Sequence, residues 1–201
     1  MIHIIEKHRE PVNCRLLETM FADRKRLFID LFGWDVPIVQ DRFEIDQFDT
    51  PGTIYIISAD DGGAHEASIR LLPTIRPHML GDLFSHLCPG DVPTGPTIWE
   101  STRLCLPQRH GAARRRELRN LLISAMVDFA LERGIERYTG VLPEAFRKEV
   151  LAMGWRGEPL RPAMRMPGGS VGAFMVHIDA LTPARLGWTG TYSGKSQWVS
   201  A

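Results

Sequence analysis

Between Ala112 and Arg133 the chain carries an unbroken helical pattern, free of proline and glycine, with Leu118, Leu121, Leu122, Met126 and Phe129 on one side. A run of strand character, Thr97–Leu106, precedes it, and another, Arg137–Leu142, follows. A helix with one apolar stripe must bury that stripe, and strands at both of its ends provide a sheet to bury it against. Upstream, Leu16, Leu17, Met20, Phe21, Leu27, Phe28 and Leu31 predict an amphipathic helix within 11–33, stopped at Gly33. Thr53–Ser58 and Ala67–Leu72 flank the turn Ala59-Asp60-Asp61-Gly62-Gly63 and predict a hairpin. A short helix over Met79–Leu87, a helix opened by Pro143 and capped by Gly154, and a last strand over 170–178 complete the pattern, with Leu186–Ala201 expected as a poorly ordered tail. This order predicts a mixed sheet with helices on its faces, an α/β or α+β three-layer sandwich. A length of 201 residues suits a single domain.

Hydrophobic residues at 44% and charged residues at 24% exclude a disordered, collagen-like or disulfide-dense chain. No apolar run reaches the roughly 20 residues of a membrane span, and the N-terminus lacks the long apolar region of a signal peptide, so a cytoplasmic protein is expected. Cys14, Cys88 and Cys105 share no C-x-x-C spacing, which speaks against disulfides and a thiolate zinc site. There is no G-x-S-x-G and no H-E-x-x-H. The acidic run from Asp41 has Asp46 where an EF-hand needs glycine, and Gly194-Lys195-Ser196 lacks the spacing and the strand–loop–helix context of a phosphate loop. No metal and no nucleic-acid partner are therefore expected.

Four constellations remain. Arg24 and Phe28 are one helical turn apart, with Trp34 just beyond, and an arginine with two rings can hold a ligand bearing a carboxylate, a flat base and a cation. Asp35 to Pro51 has no sustained period and reads as a long irregular segment; within it Glu44, Asp46 and Asp49 crowd three carboxylates that repel one another unless cations balance them. Trp99 to Leu106 alternates, with Glu100 and Thr102 on one face and Trp99, Ser101 and Arg103 on the other unless a bulge changes the split. A partly desolvated Glu100 would suit a general base. Gln108 to Ala113 opens the long helix with a glycine and unpaired N–H groups, next to Arg114, Arg115 and Arg116, as a phosphate cradle would. Charge is also divided: residues 1–100 hold 9 Lys+Arg against 16 Asp+Glu, and residues 101–201 hold 15 against 8. Such a division suits a cationic ligand for the first half and an acidic partner for the second, although self-neutralisation within one domain explains it equally well.

Together these residues resemble the LuxI-type acyl-homoserine-lactone synthases, relatives in fold of the GCN5-type N-acetyltransferases. The family pattern R-x-x-x-F-x-x-x-x-x-W matches Arg24, Phe28 and Trp34; E-x-D-x-[FY]-D matches Glu44, Asp46, Phe48 and Asp49; R-L-L-P-T-x-R-P-x-M-L matches Arg70 through Leu80. Phe84 follows at the family's distance, W-E-x-[ST]-R stands as Trp99, Glu100, Thr102 and Arg103, and Gly154-Trp155 also agrees. Gln108, Gly111 and Ala113 are similar to the Q-x-x-G-x-[GA] loop with which acetyltransferases hold the pantetheine pyrophosphate.

The resemblance implies an N-acyltransferase-like mixed sheet and an enzyme that acylates the amine of S-adenosylmethionine from acyl carrier protein or acyl-CoA, lactonises it and releases 5′-methylthioadenosine. S-adenosylmethionine is then a substrate and no cofactor is implied. Arg24, Phe28, Trp34 and Phe84 would bind S-adenosylmethionine; Asp46, Asp49, Arg70 and Arg103 would orient it; Glu100 would take the amine proton. Leu104, Cys105, Gln108, Gly111, Ala113, Leu122, Met126, Thr139, Val141 and Met153 would meet the acyl chain and pantetheine, and Arg147, Lys148 and Arg156 the carrier protein. A GCN5-type enzyme acetylating another amine from acetyl-CoA would account for the Gln108–Ala113 loop but not for the Arg24/Phe28/Trp34 and Asp46/Asp49 sets.

Overall fold

The computed structural model describes residues 1–6, 14–166, 168–195 and 197–200, without the side chains of Cys14 and Ser200. In chain order the elements are β1 (Ile2–Glu6), α1 (Cys14–Arg24) continuing as a π-helical segment (Lys25–Leu31), β2 (Ile38–Val39), β3 (Phe43–Glu44), β4 (Ile54–Ala59), β5 (His65–Pro73), α2 (Met79–Asp82) and a 3-10 turn (Ser85–Leu87). There follow β6 (Ile98–Cys105), α3 (Ala112–Arg133), β7 (Arg137–Pro143), α4 (Glu144–Leu151), β8 (Arg156–Pro159), β9 (Met164–Met166), β10 (Gly169–His177), α5 (Thr182–Trp188) and β11 (Trp198–Ser200). Two compact units result: Met1–Leu71 with Arg103–Ala125 and Lys195–Ala201, and Leu72–Thr102 with Met126–Gly194.

In the first unit the strands follow the order β11-β1-β4-β5. β4 reads Ile-Tyr-Ile-Ile-Ser-Ala and is buried at every position, as a strand covered on both faces must be. Tyr55, Ile57 and Ala59 pack with Ile5 and with Leu16, Met20 and Phe21 of α1, so α1 covers one face, while Ile54, Ile56 and Ser58 are buried on the other. β1 and β4 are antiparallel, from Ile2↔Ser58 to Glu6↔Ile54, and β4 and β5 form the predicted hairpin. β2 and β3 make a small separate hairpin inside the segment read as irregular.

In the second unit β7 lies between β6 and β10, with β8 and β9 on β10. β6 and β7 are parallel, in the register Ile98↔Arg137, Trp99↔Tyr138 and Glu100↔Thr139, whereas β10 and β7 are antiparallel. Trp99 meets Phe129 of α3 edge to face at 6.2 Å, and the buried Tyr138 hydroxyl donates to the Met126 carbonyl at 3.1 Å. Leu80, Leu87, Cys88 and Ala173 form an apolar cluster, with Phe84, Val92, Val141, Leu160 and Val171 against it. Parallel and antiparallel pairs in one fold, with helices on the strands, make the mixed α/β architecture that was expected.

The long helix matches its expected bounds, and residues 11–13 of the first predicted helix lie outside the described residues. Of the poorly ordered tail expected over Leu186–Ala201, both ends carry regular elements among the described residues: α5 runs to Trp188, and β11 pairs in parallel with β1 from Ile2↔Trp198 to Ile4↔Ser200. Seven and three residues are too few to show a period, and β11 owes its conformation to a strand at the other end of the sequence. Gly154 ties α5 down, because with φ +109° its Cα lies so near the Arg185 carbonyl that a Cβ would come within 2.7 Å of the oxygen. Gly134, at the end of α3, has φ +69° but open space around it. Gly154→Ala is therefore expected to lose about 2 kcal/mol or more and Gly134→Ala about 1 kcal/mol, the latter from the left-handed backbone alone. Urea unfolding of the two variants measures the difference, and equal losses would show that the Arg185 contact is unimportant.

Candidate active site

Three carboxylates on a six-residue stretch cannot be buried together unless cations meet them, and in the first unit three arginines do so from separate elements. Arg24, at the end of α1, donates Nε to Glu44 Oε2 at 2.5 Å and both Nη groups to the Asp49 carboxylate at 3.0 Å. Arg70 of β5 grips Asp46 with two bonds of 2.6 and 3.0 Å and also reaches Asp49 Oδ1 at 2.9 Å. Arg103 of β6 donates Nη2 to Glu44 Oε1 at 3.0 Å and to Asp46 Oδ2 at 2.7 Å. The Tyr55 hydroxyl and the Asp46 backbone N–H add two donors to Asp49, each at 2.8 Å. All six charged side chains are buried, and three positive charges balance three negative ones.

The electrostatics follow from burial and pairing. Burial pushes the Asp49 carboxyl upward, but the Arg24 and Arg70 guanidiniums outweigh it and hold Asp49 well below the usual carboxylate range. Burial and the Asp49 charge push the Tyr55 phenol up, so it stays a donor. For Arg103 burial dominates and lowers the pKa, though a guanidinium remains charged. Phe28 and Trp34 stack at 4.8 Å with their planes 9° apart, and the Arg103 guanidinium lies 5.6 and 5.8 Å from the two ring centres. Phe28 is buried and Trp34 is 40% exposed, so the stack is open on the Trp34 side to another flat group.

Arg103 has φ +51°, unusual for a residue with a Cβ. The alternation of β6 breaks there: Ile98 and Glu100 are buried, then Arg103 and Cys105. The regular split that set Glu100 and Arg103 on opposite faces is therefore corrected by the bulge that the sequence reading left open. Glu100, in the second unit, is fully buried and accepts the Leu80 N–H at 2.9 Å. Phe84 packs beside that same Leu80 in the apolar cluster, and Thr139 and Met153 are buried. In the first unit Cys105 packs with Leu27 and Phe28, Leu104 is half-buried, Leu122 is buried, and Gln108, Gly111 and Ala113 are exposed at the start of α3. Gln108 accepts from Arg115 at 3.0 Å.

One expected surface residue is not on the surface. Arg147 is 4% exposed and donates to the carbonyls of Arg161 and Ala173 at 2.9 and 3.0 Å, lying over Gly172 where any Cβ would collide with its guanidinium. Lys148 and Arg156 are exposed. Two groups escaped the sequence reading: Tyr55 as a member of the cluster, and a second cluster of Asp23, His65, Ser68 and Arg109. Glu44 carried a signal in its crowding with Asp46 and Asp49; His65 lies 42 residues from Asp23 and carried none. Among the described residues no group of side chains has the make-up of a metal site, and no helix is long and apolar enough to cross a membrane.

The autoinducer synthase family model matches residues 8–181. The chain belongs to this family. It is 34% identical over 174 residues to an acyl-homoserine-lactone synthase of Ralstonia nicotianae, covering 83% of this chain and 84% of that one. Among solved structures it is similar to TofI in a ternary complex with an inhibitor and MTA, at 27% identity, TM-score 0.76 and coverage of 93% and 96%. The CoA-dependent acyl-homoserine lactone synthase BjaI, at 24% identity, shares the fold with TM-score 0.85 over 100% of this chain and 94% of that one. An acyl-CoA N-acyltransferase of Pseudomonas aeruginosa, 11% identical, shares it with TM-score 0.58 over 87% and 97%. The expected family, the N-acyltransferase-like fold and the acyltransferase activity are thus borne out.

Removing one carboxylate from such a cluster strands its cations. Asp49→Asn is expected to cost about 3–5 kcal/mol at neutral pH, read by urea unfolding. Asp49 ionises lower in the fold than in the unfolded chain, so its contribution is present above the unfolded value near 4 and is lost as pH falls towards the folded one. The gap between Asp49→Asn and the parent protein should accordingly narrow below about pH 4; a gap constant down to pH 2 would mean that Asp49 is not held ionised by the arginines.

Proposed function

We propose that the enzyme transfers an acyl group from a phosphopantetheine thioester to the α-amine of S-adenosylmethionine, and that the carboxylate then displaces 5′-methylthioadenosine and closes the lactone. The observation that carries this reading is the neutral cluster of buried arginines and carboxylates beside an open aromatic stack. A substrate with an ammonium, a carboxylate, a sulfonium and a purine finds in it partners for each group. The MTA in the TofI complex, a protein 27% identical, is the leaving group of this reaction.

Arg24, Phe28, Trp34 and Phe84 bind S-adenosylmethionine, and Asp46, Asp49, Arg70 and Arg103 orient it. Glu100 removes the ammonium proton through a water molecule, and its carboxylate is aimed by the Leu80 N–H. The freed amine attacks the thioester carbonyl, backbone N–H groups on the strand after Glu100 meet the oxyanion, and the thiol leaves. Lactone closure needs the substrate carboxylate held in line with the carbon bonded to sulfur, a task for fixed arginines. Gln108, Gly111 and Ala113 hold the pantetheine arm. Leu104, Cys105, Leu122, Met126, Thr139, Val141 and Met153 contact the acyl chain, and Lys148 and Arg156 meet an acidic carrier protein. A cytoplasmic setting fits these substrates and the free thiols of Cys88 and Cys105.

Glu100→Gln keeps the shape but loses the base. Its kcat is expected to fall by about 10²–10⁴, with lactone and methylthioadenosine falling together and S-adenosylmethionine binding, by calorimetry, unchanged. Mass spectrometry of both products tests this; turnover within tenfold of the parent would remove Glu100 from the role of base. Reversing Lys148 and Arg156 together to glutamate is expected to raise KM roughly tenfold for a carrier-borne donor and to spare the same acyl group on CoA. An equal rise for both donors would show that the two cations do not meet the carrier.

A further inference from the structure

Asp23 and Arg24 are neighbours at the end of α1 and hold different parts of the first unit. Arg24 enters the carboxylate cluster. Asp23 binds His65 Nδ1 through Oδ2 at 2.7 Å, and through Oδ1 it binds Arg109 Nη1 at 2.8 Å and Arg26 Nη1 at 3.0 Å. Asp23 and His65 are 2% and 1% exposed. A carboxylate only accepts, so the imidazole carries its proton on Nδ1, and Nε2 accepts the Ser68 hydroxyl at 3.0 Å. Burial lowers the His65 pKa against the pull of Asp23, which keeps the ring neutral.

This Ser–His–Asp line has the order of a hydrolase triad, but Ser68 is as buried as its partners and reaches no substrate. The cluster presents two arginines outward, the 70% exposed Arg26 of the same helix and, from a distant loop, Arg109. Its side chain is 46% exposed yet fixed at two points, by Asp23 and by the His65 carbonyl, which accepts from Nη2. Two fixed bonds leave guanidinium donors for an anion. Arg109 follows Gln108 in the loop that opens α3, and with Asp23, Leu27, Leu31, Pro107 and Gln108 it borders a cavity of about 460 Å³.

We propose that Asp23, with His65, is a positioning residue of the acyl-donor site: it fixes Arg109, and with it the Gln108–Gly111 loop, in the conformation that grips the phosphopantetheine arm. The proposal rests on the synthase reading above. Because Asp23 and Arg24 share one helical turn, the donor loop and the buried cluster are keyed to the same segment of α1.

The test compares Asp23→Asn, Arg109→Ala and the double variant in the full chain. In the protein without substrates, amide hydrogen exchange over 108–111 should speed up about tenfold in Asp23→Asn while α1 is unchanged. With acyl-CoA as donor, KM for the donor should rise about tenfold in both single variants, with kcat and KM for S-adenosylmethionine within twofold, and the double variant should be no worse than Arg109→Ala. Unchanged loop exchange, or additive losses in the double variant, would overturn the proposal. Should Asp23→Asn fail to fold, Arg109→Ala decides alone, since a donor KM within twofold of the parent leaves Asp23 nothing to position. A parent protein that makes no lactone from any donor would overturn the synthase reading, and the exchange measurement would still decide whether Asp23 holds the loop.

Discussion

The cluster formed by Arg24, Arg70 and Arg103 with Glu44, Asp46 and Asp49 is the interaction on which the first unit depends. Each of these ions loses several kcal/mol of hydration on burial, and well-packed apolar residues of similar volume would stabilise the fold as well or better. Stability alone therefore does not account for it. What the cluster supplies is definition: the carboxylates all come from one stretch with little regular structure, the arginines from a helix and two strands, and only one arrangement of that stretch satisfies them all. A segment that reads as irregular in sequence is thus tied to a helix and two strands by charge-assisted bonds, which hold its charges in fixed places.

The helix that carries Arg24 passes directly into the π-helical segment Lys25–Leu31, and the widened turn ends with the Trp34 N–H bonded to the Phe28 carbonyl at 2.9 Å. Such segments cost helix stability and gather at functional sites. Here the segment sets Phe28 and Trp34 face to face at the end of the helix whose preceding residues, Asp23 and Arg24, anchor two separate clusters. The spacing Arg24-x-x-x-Phe28 was legible in the sequence as one helical face; the stack with Trp34 was not, because it depends on a departure from α-helical geometry that no local propensity announces.

Much of the fold was legible where a period is long or a turn is marked. Ala112–Arg133 has six turns of pattern, and Asp60-Asp61-Gly62-Gly63 names its own hairpin. The misses share a physical cause in pairing at a distance. β11 takes its conformation from β1, nearly two hundred residues away, and Arg147 is buried because two carbonyls and a bare Gly172 receive it, whereas a charge count on α4 put it outside. In the site, crowding singled out Glu44, Asp46 and Asp49 as carboxylates that demand cations, and the family resemblance supplied Arg70 and Arg103. His65 was not found, since a lone histidine says nothing of an aspartate on another element.

Strand β6 holds a second departure from regular geometry. A regular strand would point Glu100 and Arg103, three residues apart, to opposite faces. The left-handed backbone at Arg103 resets the alternation, and both are buried, at a cost of order 1–3 kcal/mol. Arg103 offsets that cost with charge-assisted bonds to Glu44 and Asp46 and with its place against Phe28 and Trp34. Were Arg103 replaced by glycine the backbone would relax, but Glu44 would keep only Arg24 among these arginines and Asp46 only Arg70. The strain is tolerated because the charges on either side of it fix the conformation, and for the same reason the strand can bury a carboxylate and a guanidinium within one short stretch of chain.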